Sequence, residues 1–278
     1  MATSRILFAG LTMIALTAGP IAQAPGATQQ PATPGTTPAP AAPVTLPPAL
    51  TSCPELATAI RSVATNDARL RDWPNLARYR EANRTAGPVD VVFMGDSITD
   101  SWGQGRYGEF FPGKHYAGRG ISGQTTPQMV LRFRPDVIDL KPKVVVILAG
   151  TNDLAGNTGP MTDDEIEGNL ATMGELATVA RIRVILSSIL PTSNYHAAPT
   201  AVPQTTQRPL SRIRAINDWM KSYAAAHEHI YLDYFPAMVD AQGMLKAELS
   251  ADDLHPNGAG YAIMAPLAQA AIDKALQH

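Results

Sequence analysis

The sequence predicts a three-layer α/β/α domain built on a central parallel sheet, and two observations predict it. The first is a set of short apolar runs with no in/out alternation, at residues 91–94, 144–148 and 184–186, the last resuming at 189–190. Unbroken β-branched runs suit strands covered on both faces, as parallel sheets are. The second is that amphipathic segments of helical period stand between these runs. Strand–helix alternation with connections of this length gives helices on both sides of a parallel sheet. No repeat of fixed period is present, which sets solenoids and propellers aside.

In chain order, residues 1–24 read as a signal peptide. Arg5 is the one charged side chain among the first 50 residues, and an uncharged run follows over 6–19. That run is short for a membrane span, which needs about 20 apolar residues. Ala22-Gln23-Ala24 supplies an A-x-A cleavage pattern. The expectation is therefore a secreted or periplasmic protein with no stable membrane insertion after cleavage. Residues 25–50 are a linker of Pro, Ala, Thr, Gly and Gln. Eight prolines over 25–48 block helix and sheet alike. The domain is expected over 51–278, where Ser52-Cys53-Pro54-Glu55 has capping-box spacing. The apolar run 91–94 is the first strand, and His115-Tyr116-Ala117 is a weak candidate for the next. Residues 144–148 and 184–190 follow, then a weaker run at 230–232. The helical pattern after Thr162-Asp163-Asp164-Glu165 begins at a capping box. Residues 212–226 and 259–276 read as helices as well.

Composition narrows the function. The chain has 278 residues, with 22 Lys+Arg against 24 Asp+Glu and a net charge of −2. A general nucleic-acid binder shows a basic excess or stripe, and neither is here. One cysteine, Cys53, excludes an internal disulfide framework and any multi-cysteine metal site. Asp252, Asp253, His255 and Asn152 lack a second His–carboxylate cluster of the kind two-metal hydrolases use, so no metal is expected. Two G-x-G-x-x-G matches fall short of a dinucleotide site: the one at 103–108 has no strand before it, and the acid downstream of the one at 118–123, Asp139, lies in a helical segment instead of at a strand end. Residues 108–115 fall short of a phosphate-binding loop, because His115 stands where Ser or Thr would hold magnesium. No cofactor is expected.

In sheets of this class ligands bind beyond the carboxyl ends of the strands. Gly95-Asp96-Ser97-Ile98-Thr99 follows the first run, Gly118-Arg119-Gly120-Ile121-Ser122-Gly123 the second candidate, and Gly150-Thr151-Asn152-Asp153 the run 144–148. Asp252-Asp253-Leu254-His255 precedes the last helix. Their chemistry is complementary. A serine hydroxyl such as that of Ser97 needs a base, and histidine is the side-chain type suited to the task near neutrality, which makes His255 the candidate. The histidine needs an acceptor; Asp252 lies one turn before it, and Asp253 is the competitor. An oxyanion needs preorganised donors, for which the backbone N–H groups of Ser97 and Gly120 and the side chain of Asn152 are candidates. Asp96 and Asp153 read as structural. His115, His196, His227, His229 and His278 read as surface or packing residues.

The four blocks together resemble the GDSL, or SGNH, hydrolase superfamily, over roughly residue 90 to the C-terminus. The likeness is to secreted bacterial acylhydrolases similar to the catalytic subunits of platelet-activating-factor acetylhydrolase. It implies a flavodoxin-like domain with Ser97 as nucleophile, His255 as base and Asp252 as its orienter. It also implies an oxyanion hole from Ser97, Gly120 and Asn152. The ordinary α/β-hydrolase elbow, G-x-S-x-G, is absent, because Thr99 holds its fifth position.

The expected activity is that of a carboxylic ester hydrolase on small acyl esters, acetyl first, on carbohydrates. The alternatives are a lysophospholipase or thioesterase for longer chains and a non-catalytic carbohydrate-binding protein of the same fold. Trp102, just beyond the serine, is a candidate for an acyl pocket. Tyr195 and His196, in the stretch 192–209, are candidates for leaving-group contacts.

Overall fold

The computed structural model describes residues 71–277 except 104 and 106, together with 56, 58–60, 63, 67 and 70. The expected signal peptide, the linker, Cys53 with its helix start at 52–55, and His278 lie outside the described residues.

Five strands, β1 (Val91–Gly95), β2 (Tyr116–Gly120), β3 (Val144–Leu148), β4 (Arg183–Ser187) and β5 (Ile230–Leu232), form one sheet in the order β2-β1-β3-β4-β5. Every pairing is parallel. β1 and β3 are buried along their whole length, as their unbroken apolar runs require. The helices that position the site and cover the sheet are α1 (Ser97–Gly103), α2 (Thr126–Asp136), α3 (Thr151–Leu154), α4 (Asp163–Val179), α5 (Leu210–Ala226) and α6 (Gly258–Gln277).

Alternate strand residues feed two cores. Val92, Met94, Val145, Ile147, Val184 and Leu186 pack with α2, α4 and α5 through Phe133, Leu170, Met173 and Ile216. Val91, Phe93, Val146 and Ile185 point the other way and pack with α1 and α6 through Ile98, Trp102, Met264 and Ile272. The capping box at the start of α4 forms as its spacing predicts, with the Glu165 carboxylate accepting from Thr162 N–H at 2.8 Å and Thr162 Oγ1 accepting from Glu165 N–H at 3.3 Å.

Two boundaries differ from the sequence reading. The strand at 183–187 stops before Ile189 and Leu190, which are buried in opposite cores beyond its end. The weak candidate at 115–117 is a strand over 116–120. Its glycines hid it, and the glycines are there for packing. A Cβ on Gly120 would stand 2.0 Å from Asp100 N, so α1 can lie against this strand only if residue 120 has none.

The topology sets the place of the site. The chain goes from β1 outward to β2, then returns past β1 to β3 and builds away in the other direction. This is the 2-1-3-4-5 order of flavodoxin-like sheets, whose switch point lies between β1 and β3. In register, Gly95 is level with Gly120 on one side and Leu148 on the other. The segments bearing Ser97, Ser122 and Asn152 therefore leave the sheet at one level.

Candidate active site

Ser97 opens α1 one residue after the buried Asp96, whose Oδ1 accepts the Ile98 N–H at 3.0 Å. His255 lies between a 3-10 turn, Ala247–Leu249, and the start of α6, on the loop 250–257. That loop is built around Asp252. Its Oδ1 accepts the backbone N–H of His255 at 2.8 Å and of Leu254 at 3.1 Å, and its Oδ2 takes His255 Nδ1 at 2.7 Å. With Nδ1–H donating to the carboxylate, the neutral ring presents Nε2 as an acceptor. Ser97 Oγ stands 2.9 Å from that nitrogen. Burial works to raise the Asp252 carboxyl, but the amides and ring it accepts from hold it below its ordinary value. It stays an anion, the form that fixes the imidazole tautomer and stabilises an imidazolium.

Asp253 is not a second candidate for this bond. Its backbone is left-handed, with φ 68°, which turns its side chain away from His255. It accepts from Ser193 Oγ at 2.6 Å, His196 N–H at 2.8 Å and His196 Nδ1 at 3.0 Å.

Ser97, Asn152, Asp252 and His255 line one cavity of about 570 Å³, along with Ser122, Gly123 and Arg208. The expected donor Gly120 does not line it. That glycine is pressed on α1, and its carbonyl accepts the Tyr79 hydroxyl. Gly123 takes the position facing the cavity, with φ 80° and its carbonyl held by Asn157 Nδ2 at 3.1 Å. The preceding residue is fixed too, because Asp100 Oδ2 accepts both Ser122 Oγ, at 2.7 Å, and Ser122 N–H, at 3.3 Å. Asn152 is buried, and its Nδ2 gives one hydrogen to Gln124 O at 3.0 Å. A second hydrogen on the same nitrogen remains for a ligand. Serine, imidazole and carboxylate in this series, beside amide donors, can activate a hydroxyl and hold an oxyanion.

The model for the GDSL-like lipase/acylhydrolase family matches residues 93–263. The chain belongs to that family. A GDSL-like lipase from Bacteroides thetaiotaomicron VPI-5482 is 39% identical, with a TM-score of 0.66 over 73% of this chain and 98% of that one. The alpha2 subunit of human platelet-activating factor acetylhydrolase IB is 26% identical over 178 residues, 62% of this chain and 71% of the subunit. An acetyl xylan esterase of solved structure shares the fold at 20% identity and a TM-score of 0.54, covering 66% of this chain and all of that one.

The remaining expected pocket residues of this GDSL-like acylhydrolase do not line the cavity. Trp102 is buried among Phe93, Phe110, Phe111 and Tyr261, where ring packing occupies it. Tyr195 turns outward and donates to Asp240 Oδ2. His196 is held by Asp253. Among the other histidines, His115 faces Asp90 and His227 stacks on Tyr223, both away from Ser97. Asp153 accepts Thr126 N–H at 2.9 Å and its hydroxyl at 2.5 Å, the structural part expected of it. Among the described residues, no three His, Cys, Asp or Glu side chains converge as a metal-holding group.

Two arginines of the acylhydrolase carry weight that no motif announces. Arg132 on α2 is fully buried. Its Nη2 donates to Gly95 O at 2.8 Å and its Nη1 to Arg119 O at 2.8 Å, tying the ends of β1 and β2 together. Asp136 closes the pair at 3.0 Å. Arg208, on the wall of the cavity, is the second.

Proposed function

We propose that this acylhydrolase is a serine esterase for short acyl esters, acetyl foremost, carried on carbohydrates. The observation that carries the reading is the hydrogen-bonded series from Ser97 Oγ through His255 to Asp252, at 2.9 and 2.7 Å. His255 Nε2 takes the serine proton as Oγ attacks the ester carbonyl, and Asp252 stabilises the imidazolium that results. The oxyanion is received by the backbone N–H groups of Ser97 and Gly123 and by Asn152 Nδ2. His255 then protonates the leaving alkoxide, leaving the acyl group on Ser97. Water, deprotonated by the same nitrogen, releases the acid and restores the serine.

Two features favour a short acyl group on a polar alcohol. The cavity wall is mostly hydroxyl, amide and charged, with Leu254, Ala251 and Tyr107 the apolar exceptions, so a long alkyl chain finds no continuous apolar wall. Past Ser122 and Gly123 the surface continues into a second cavity, of about 710 Å³, bordered by Trp73, Asn75, Gln128 and Asn157. An indole face with amide side chains around it suits a ring that has apolar faces and hydroxyl edges. The acetyl xylan esterase of like fold acts on such an alcohol. Residues 1–24 serve for export in this reading, which N-terminal sequencing of protein recovered outside the cytoplasm would test.

The test of the activity is hydrolysis of p-nitrophenyl esters from C2 to C12, with Ser97→Ala as control. Turnover falling beyond C4 and lost in the variant is the expected result. A maximum at C8 or longer supports a lipid or thioester substrate instead. A folded protein inert on every ester leaves a binding role for the fold.

A further inference from the structure

Arg208 closes the stretch 192–209, at the end of the helical turn Gln204–Gln207, and is 95% buried by virtue of its 5% exposure. Two of its nitrogens are engaged: Nε donates to Thr151 O at 3.0 Å and Nη1 to Gln204 Oε1 at 2.5 Å. Nη2 makes no hydrogen bond among the described residues, and the side chain lines the cavity that holds Ser97 and His255. Arg208 is also the only Lys or Arg lining that cavity among the described residues.

A guanidinium keeps its charge even when buried, and a buried charge without a partner is costly. No carboxylate among the described residues lies within 4.0 Å of Arg208. Asp96 and Asp252 act on it only at longer range. Asp252 is already committed to His255 and two amides. The cavity thus presents one desolvated cation with a free donor edge, close to the reacting serine.

Resting on the esterase reading above, we propose that Arg208 is a specificity residue and that the substrate carries a carboxylate, placed by Nη2 beside the ester bond. A monoanion fits better than a phosphate dianion, because the wall also holds the anionic Asp252. One positive charge then meets one negative charge. Attack by Ser97 proceeds as for any ester, and the carboxylate takes no part in bond making.

The test compares 4-acetoxybenzoate with its methyl ester, the same acetyl aryl ester without the charge, and adds 4-nitrophenyl succinate to ask whether the carboxylate belongs on the acyl side. The double ratio of kcat/KM, wild type over Arg208→Gln and charged over neutral, cancels intrinsic reactivity. One of the two charged esters should fall about 10- to 100-fold further than the neutral one in the variant, the range for a charge-assisted hydrogen bond. Arg208→Lys should restore part of it. Equal losses on charged and neutral esters would overturn the proposal and make Arg208 a brace for Thr151 and Asn152. A second measurement needs no variant: benzoate should inhibit p-nitrophenyl acetate hydrolysis by the wild type competitively, and benzamide should not. Equal inhibition by both refutes the proposal while the acetate turnover keeps the esterase reading intact. Absence of p-nitrophenyl acetate turnover would instead refute the esterase reading itself.

Discussion

Two adjacent aspartates, Asp252 and Asp253, each hold a histidine through Nδ1, at 2.7 and 3.0 Å. Each also accepts a backbone N–H from its own histidine, and each carboxyl is held below its ordinary value by those donors against the effect of burial. By local chemistry they are near twins. What separates them is one backbone angle. The left-handed turn at Asp253 sends its side chain to the stretch 193–196, while that of Asp252 holds the histidine that meets Ser97. Of the two histidines, only His255 has a serine hydroxyl on its far nitrogen among the described residues. The comparison teaches that an acid–histidine pair acquires a chemical use from what stands at Nε2. The pair at Asp253 is an anchor, fastening the 192–209 stretch to the loop that carries His255.

The comparison breaks most sharply at Ser97, the nucleophile of the proposed mechanism. Ser97→Ala should lower kcat by roughly 10⁴-fold or more with the fold retained, read as ester turnover beside an unchanged melting temperature. Asp252→Asn should lower kcat by about 10²- to 10⁴-fold, because the amide lets the imidazole settle in the wrong tautomer. Asp253→Asn should keep kcat within about tenfold, since no reacting atom contacts it. If the two substitutions cost the same rate, the division into a working pair and an anchoring pair fails.

Stability should rank them the other way. Asp253→Asn keeps a residue that tolerates the left-handed turn but leaves a buried donor of Ser193 or His196 without an acceptor, costing about 1–3 kcal/mol. The melting temperature near pH 7 should fall by several degrees. The folded carboxyl titrates below its unfolded value, so its contribution exists above the unfolded pKa and disappears as the pH falls through the folded one. The difference between wild type and Asp253→Asn should therefore shrink toward pH 3.

Asp96 sharpens the contrast because its shift has the opposite sign. Burial raises its carboxyl to about 6, against a single hydrogen bond from Ile98 N–H. Between its ordinary value and 6 the unfolded chain ionises while the folded one does not, so stability falls as the pH rises through that window, by about 3 kcal/mol in all. Asp96→Asn removes this loss. Its melting temperature should exceed that of the wild type by more at pH 8 than at pH 4.5, and a gap independent of pH would show that the carboxyl titrates normally.

Much of this was legible in the sequence, and the exceptions have physical causes. β1 and β3 stand out because strands covered on both faces tolerate no polar residue. β2 does not, since its glycines serve close packing on α1 and not propensity. Ser97, Asn152, Asp252 and His255 were readable from the order of their blocks, as each follows a strand or precedes a helix at the same sheet edge. Which glycine of 118–123 faces the cavity depends on where β2 ends, and that is settled by packing at Gly120, so Gly123 was missed. Tyr195 and His196 were misplaced because a loop side chain points wherever its partner lies, here Asp240 and Asp253. Arg132 and Arg208 gave no signal, since nothing local distinguishes a buried arginine from a solvated one.

The bond between Ser97 and His255 spans 158 positions of chain, and the helix after the histidine is stitched back to the helix after the serine, with the Tyr261 hydroxyl donating to Ile98 O at 2.7 Å. A nascent chain that has produced β1 to β5 has all five strands of the sheet but not yet His255. Contacts this distant in sequence are slow to close, and the one on which the proposed mechanism rests is among the last to become available. Ester turnover by this molecule is thus a report that its final segment has docked, which makes a chromogenic ester a clock for the end of folding.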